Sequence, residues 1–196
     1  MFPEIFRDDV FRLETRRLWL RWPTARDEAA IERLASDADV AEMTSRIPHP
    51  YPTGSAGSFI YEARVGNAQG VHLIFALAPL ARPAEAIGAI SLRQEDGVAT
   101  LGYWLGKPFW GRGLMSEAVE AITAAAFHLA AIDAVAAHAR ADNAASRRVL
   151  EKGGFLATGE RRVHFPARDA EFDRVDYLRE SSVRCDALDA AALFTR

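Results

Sequence analysis

Two short segments of this chain hold the residue types from which a chemical site can be built. The first is 102–117, GYWLGKPFWGRGLMSE, where a strand-like run meets Gly111 and Gly113 and a helical pattern begins at once. Unpaired amides of a first helical turn point outward and the helix dipole adds positive potential, so such a junction suits an anion, above all a phosphate. Glycines there permit φ > 0 and a close approach of the ligand, and Arg112 between them adds a charge. An ordinary tight strand-to-helix turn has the same composition. The segment is not a Walker loop, because no GK[ST] follows. Nor is it a GxGxxG fingerprint, because Ser116 and Glu117 occupy the positions around the third glycine.

The second segment is 143–155, NAASRRVLEKGGF. Asn143 and Ser146 stand three apart at the start of a helical pattern, so an amide and a hydroxyl share one face. Asn143 read alone is a helix N-cap, with Ser146 a polar residue of the first turn.

The elements that must position these segments follow from periodicity. Residues 13–21 alternate apolar and charged side chains as a half-buried strand, and 25–36 read as an amphipathic helix that Thr24 can cap. A proline-dense loop, IPHPYP, precedes a second helix at 55–65, closed by Gly66. Strands are expected at 71–77, 86–93 and 98–105, with Asp96-Gly97 as a hairpin turn. An alanine-rich helix then runs from Gly113 to about Ala131, followed by a strand at 134–139, a helix at 144–152, and strands at 155–163 and 172–179. The order predicts an α+β fold with a mixed, mostly antiparallel sheet of about seven strands and about four helices, because the helix after Gly113 joins two strands in parallel. Residues 1–12 read as an N-terminal extension, 13–180 as one domain, and 181–196 as a tail, either a short helix or a frayed end.

Composition narrows the classes of function without choosing one. The chain has 196 residues, 49% hydrophobic and 26% charged, and a formal net charge of -3. It can bury a core without staples and has no global electrostatic reason to bind nucleic acid or an acidic membrane. The single cysteine, Cys185, excludes an internal disulfide, and the five histidines lack HxxxH or HExxH spacing, so no metal is expected. No apolar run matches a membrane span or a signal peptide, which makes a cytoplasmic location the expectation.

Taken together, GYWLGKPFWGRGLMSEA and NAASRRVLEKGGF resemble the two signature segments of the GNAT superfamily of acyl-CoA-dependent N-acyltransferases. The likeness is closest to the branch of ribosomal-protein N-terminal acetyltransferases. LETRRLWLR and the IPHPYP loop also resemble that branch, so it covers about 13–180. The resemblance implies a sheet splayed between the fourth and fifth expected strands. Acetyl-CoA would be the acyl donor, and an amine, either a small molecule or a protein N-terminus, the acceptor, with a homodimer as a plausible assembly. It implies that Trp104, Leu105 and Gly106 pair with the pantetheine arm, that the amides of Trp110, Gly111, Arg112, Gly113, Leu114 and Met115 hold the pyrophosphate, and that Asn143 bonds the arm. Ser146 would protonate the departing thiolate, and an amide of the splayed strand, Leu105, would stabilise the oxyanion.

The sequence also departs from the family pattern. Pro108 stands where relatives often carry Gln or Arg, and Thr100 and Thr158 stand where relatives carry carboxylates. Two residues are left as candidate bases. Glu160 lies two positions beyond Thr158, hence on its face of a regular strand, and His138 is ionisable near neutrality on the strand leading to Asn143. Glu117 reads as structural, and the aromatics Trp19, Trp22, Tyr51, Phe59 and Tyr61 as core or acceptor-pocket lining. An acyl-CoA-binding module without turnover is the alternative function.

Overall fold

The alternating run at 13–21 folds as a hairpin, not as one strand. In the computed structural model, which describes residues 1–95 and 98–182, β1 (Arg12–Glu14) pairs antiparallel with β2 (Leu18–Arg21). Thr15 closes the turn: its N–H donates to the Leu18 carbonyl at 2.9 Å, and its Oγ1 accepts from the Leu18 N–H at 3.0 Å. This local side-chain bond breaks the strand and raises the count to eight. Within residues 1–12, Phe2 and Phe6 are buried in the main core.

The first helical region is a 3₁₀ turn at Ala25–Asp27 followed by α1 (Glu28–Ala35) and a short α2 (Ala38–Glu42). Asp27 is fully buried, takes both nitrogens of the Arg21 fork at 2.8 and 2.7 Å, and accepts from the Thr24 N–H at 2.8 Å. Burial opposes its ionisation, but these bonds and the Arg21 charge hold its carboxyl below the usual range.

α3 (Ser55–Gln69) passes through Gly66 and stops at Gly70, whose φ is 66°. A Cβ at Gly66 would lie 2.9 Å from the His72 carbonyl oxygen, so that glycine serves close packing of the helix on the next strand instead of ending it.

Strands β3 (His72–Pro79), β4 (Gly88–Glu95) and β5 (Val98–Leu105) form an antiparallel meander. The Asp96-Gly97 turn lies outside the described residues, as does most of the 181–196 tail, Cys185 included. A further 3₁₀ turn (Lys107–Phe109) leads to α4 (Leu114–Ala130), then β6 (Ala134–Arg140), α5 (Ala144–Lys152), β7 (Leu156–Phe165) and β8 (Ala170–Glu180). The sheet order is β1-β2-β3-β4-β5-β6-β8-β7, with only β5 and β6 parallel. Met115, Ala118, Val119 and Ile122 of α4 cover one face of the sheet, while Ile31 of α1 and Ala56 and Ile60 of α3 cover the other. Among the described residues, no helix is long and apolar enough to cross a membrane.

The feature that positions the site is an interruption in this sheet. β5 and β6 pair only at Ala99 with Val135, Thr100 with Ala136 and Leu101 with Ala137. Beyond them, Gly102 to Leu105 continue along β4, while His138 to Arg140 follow β8. The sheet therefore opens like a V after Leu101, between the fourth and fifth of the expected strands.

Candidate active site

Main-chain direction decides what the opening offers. The Gly106 N–H donates to the Ile87 carbonyl at 2.9 Å, on the β4 side. An antiparallel strand alternates its hydrogen-bonding edge, so Trp104 also turns its main chain toward β4, while Tyr103 and Leu105 face the gap. The Leu105 carbonyl is taken by the Trp110 indole N–H at 2.6 Å. The gap is thus lined by the N–H and carbonyl of Tyr103 and by the N–H of Leu105. Of the expected pairing residues, Leu105 turns its N–H to the gap, as Tyr103 does, whereas Gly106 and Trp104 turn their main chains toward β4. Gly106 is a glycine for another reason: a Cβ there would meet Leu34 of α1 at 2.7 Å.

Below the gap, Gly111 and Gly113 have φ of 73° and 71°, a conformation that other residues avoid. A Cβ on Gly111 would meet nothing within 4 Å, so the space ahead of α4 is open. Glu117 N–H donates to the Gly113 carbonyl at 3.2 Å as the helix begins, which leaves the amides of Leu114 and Met115 among those without a helical acceptor. The Trp110 amide is already used, donating to Lys107 at 3.1 Å. Residues with this backbone suit a phosphate group.

Glu117 is turned away from that opening. It accepts from Thr15 Oγ1 at 2.6 Å, the Arg17 amide at 2.8 Å and Arg17 Nε at 2.7 Å, while Arg17 Nη1 donates to the Arg112 carbonyl at 2.8 Å. Partial burial raises its pKa, but these bonds outweigh it and hold the carboxyl below its usual range. The first hairpin thereby braces the glycine loop.

At the upper end of the gap, Asn143 caps α5: its Oδ1 accepts from the Ser146 N–H at 3.0 Å. What it can still offer a ligand is its amide N–H₂. Ser146 Oγ lies 2.8 Å from the Tyr103 hydroxyl, which also donates to the Ser146 carbonyl at 3.2 Å. Burial pushes the Tyr103 pKa up to about 12, partly offset by the Ser146 bond. Sequence reasoning missed Tyr103. The available signal was its place one residue from Gly102 in the first segment, together with a polar tip on an otherwise apolar strand.

Above Tyr103 and Ser146 opens a cavity of about 860 Å³ between the sheet and α3, lined among others by Trp104, His72, Arg93, His138, Tyr51 and Phe59. Two of the five candidate aromatics, Tyr51 and Phe59, therefore reach it. Trp19, Trp22 and Tyr61 line a separate groove of about 790 Å³ beside β1 and β2.

His138 lines the cavity and is exposed to solvent there. Desolvation and the charge of Arg174 lower its pKa from 6.5, against the pull of Asp176. The His72 Nδ1 lies 3.1 Å from Arg93 Nη2, and burial with the charges of Arg93 and Arg46 lowers its pKa to about 4.

Glu160 is not in this cavity. A bulge at Thr158 sets Ala157 opposite Tyr177, Gly159 opposite Asp176 and Glu160 opposite Val175. Paired residues share a face, so Glu160 sides with buried Val175 and Tyr177, whereas His138 is paired with Asp176 and lies on the other face. The extra residue breaks the period-two alternation that would have carried Glu160 to the face of Thr158.

The model of the acetyltransferase (GNAT) domain matches residues 17–156. A candidate ribosomal N-acetyltransferase of Bacillus subtilis, YdaF, is 36% identical over 93 residues, 46% of this chain and 51% of that protein. The match thus spans about half the length of that relative. Among solved structures, the ribosomal L7/L12 α-N-protein acetyltransferase RimL in complex with coenzyme A superposes with a TM-score of 0.76 at 19% identity, covering 87% of this chain and 98% of that one. The microcin C7 self-immunity acetyltransferase MccE, in complex with acetyl-CoA and AMP, does so with 0.74 at 18% identity, covering 85% and 94%. These two likenesses concern the fold. The family model, by contrast, covers most of the chain, including the glycine loop, the opened strand pair and the Asn143 helix start, and on that ground the chain belongs to the GNAT acetyltransferase family.

Proposed function

We propose that this protein transfers an acetyl group from acetyl-CoA to an amine by direct attack on the thioester. The observation that carries the reading is the opening of the sheet after Leu101. It connects the start of α4 on one side to the Tyr103–Ser146 pair and the cavity on the other. Family membership and the coenzyme A and acetyl-CoA complexes of RimL and MccE support the choice of donor.

In this reading the first amides of α4 receive the donor's phosphates, and the edge of Tyr103 and Leu105 pairs with its extended amide-bearing arm. The acceptor enters through the cavity as a free amine, and its nitrogen forms a bond to the thioester carbon. The Leu105 N–H faces the gap where the oxyanion develops. On collapse the carbon–sulfur bond breaks, and the thiolate takes the Ser146 proton, which the Tyr103 hydroxyl can replace. His138 lines the cavity and its lowered pKa favours the neutral form, so it is available to take the amine's proton, directly or through water. The YdaF and RimL likenesses make a protein N-terminus one candidate acceptor beside small-molecule amines.

The test follows the two halves of the site separately. Saturating acetyl-CoA should raise the melting temperature, and a panel of amines and N-terminal peptides should include at least one that releases free thiol. No stabilisation overturns the donor assignment. Stabilisation with no thiol release from any amine leaves an acyl-CoA-binding module instead.

A further inference from the structure

The chain as a whole is acidic, with 27 Asp and Glu against 24 Lys and Arg, yet its cavity reverses that balance. Four arginines line it, Arg46, Arg93, Arg140 and Arg174, against one carboxylate, Glu62. Nearby acids do not match this charge evenly. Arg140 is answered by Glu42 and Asp142, both at 2.6 Å. Among the described residues Arg174 has only Asp176 as an ion-pair partner, at 2.7 Å, and Asp176 is shared with Arg161 at 2.8 Å. The buried Arg174 Nε has no acceptor among the described residues. Arg46 has no hydrogen-bond or ion-pair partner among the described residues, and its charge reaches both His72 and His138 across the cavity. The lowered pKa values of His72 and His138 disfavour their charged forms, and the lining arginines carry guanidinium groups that suit the planar, two-oxygen geometry of a carboxylate.

This excess is not explained by the donor's phosphates. The glycine loop that faces those phosphates, Gly111 to Gly113, contributes no residue to the cavity lining. Arg46 and Arg174 instead act on His138, on the side from which an amine would approach. We infer that the preferred acceptor carries a carboxylate close to its reacting amine, and that Arg46 and Arg174 read it. This rests on the acetyltransferase reading and names its substrate class. Such a group could come from a free acidic amino acid or from an acidic residue near a peptide N-terminus.

The experiment is a paired comparison that does not depend on turnover. Wild-type protein with coenzyme A is titrated with N-acetyl-Asp-Ala-Ala amide and with its N-acetyl-Asn counterpart, both product-like, following the melting temperature. Free N-acetyl-aspartate forms a third arm. We expect the aspartyl peptide to bind about tenfold more tightly than the asparaginyl one. Arg46→Gln should remove most of that difference while leaving the stabilisation by acetyl-CoA alone in place. Tight binding of free N-acetyl-aspartate points to an amino-acid acceptor, and binding of the peptide alone points to an N-terminus. Equal binding of the two peptides, no binding of any of the three, or a preference that survives Arg46→Gln overturns the inference. Loss of acetyl-CoA stabilisation in the wild type would instead overturn the donor reading on which it stands.

Discussion

The Tyr103 hydroxyl sits 2.8 Å from Ser146 Oγ, joining the strand before the gap to the helix after it. The pair spans 43 residues of sequence and closes the upper end of the opened sheet. It gives Ser146 a proton source that is itself protonated throughout the neutral range, because the Tyr103 pKa is pushed up to about 12. Ser146→Ala is therefore expected to lower kcat by about 10²-fold with little change in stabilisation by acetyl-CoA. Tyr103→Phe should lower kcat less and leave the alkaline side of the pH profile unchanged below pH 10. Steady-state thiol release across pH checks both. A loss confined to acetyl-CoA binding would contradict the proton-donor role.

His138 and Glu160 make opposite predictions because the sheet places them on opposite faces. The His138 pKa lies below 6.5 in the folded protein, so the base form predominates at pH 7 and is lost only as pH falls further. Activity should decline on the acid side, at a lower pH than an unperturbed imidazole would give, and His138→Gln should lower kcat and remove that limb. Glu160→Gln should leave the rate near the wild-type value. A rate profile altered by Glu160→Gln and untouched by His138→Gln would reverse the assignment.

The Gly111 backbone has φ of 73° with open space where a Cβ would project. Gly111→Val therefore meets no neighbour, but it carries a left-handed strain of roughly 1–2 kcal/mol and sets a branched side chain before the first amides of α4. Acetyl-CoA stabilisation should fall sharply, by more than the small drop in the melting temperature of the free protein. Gly111→Asn tolerates this backbone better and should retain more of the stabilisation. Equal loss from both would point to the side chain alone, with no part played by the backbone.

His72 bears on stability. Its pKa is lowered to about 4 by burial and by Arg93 and Arg46, so between about pH 6.5 and 4 the unfolded chain takes up a proton that the folded one refuses. Stability must then fall as pH drops through that window, since the state that binds more protons gains. Urea midpoints measured from pH 7 to 4 should decline, and His72→Asn should flatten part of the decline. A variant with the same pH dependence as wild type would show that His72 does not contribute it.

Local pattern carried much of the architecture. The 98–105 strand, the glycine junction, the Asn143 cap and the run of strands and helices after it are all short-range features, and each is set by neighbouring residues through alternation, capping and backbone freedom. The two signature segments were equally local and led to the family. The misread elements are those where a distant or unexpected partner overrode the pattern. Gly66 looks like a helix end, but α3 needs it to lie against His72 of β3. Residues 13–21 alternate like one strand, yet Thr15 bonds its own neighbour Leu18 and turns the chain. What only the tertiary structure decided is which groups meet. Register alone turns Leu105 and Tyr103 toward the gap, one extra residue at Thr158 moves Glu160 to the far face, and the cavity gathers arginines from segments as distant as Arg46 and Arg174. A sequence lists such charges without their distances, and electrostatics depends on distance and on what lies between.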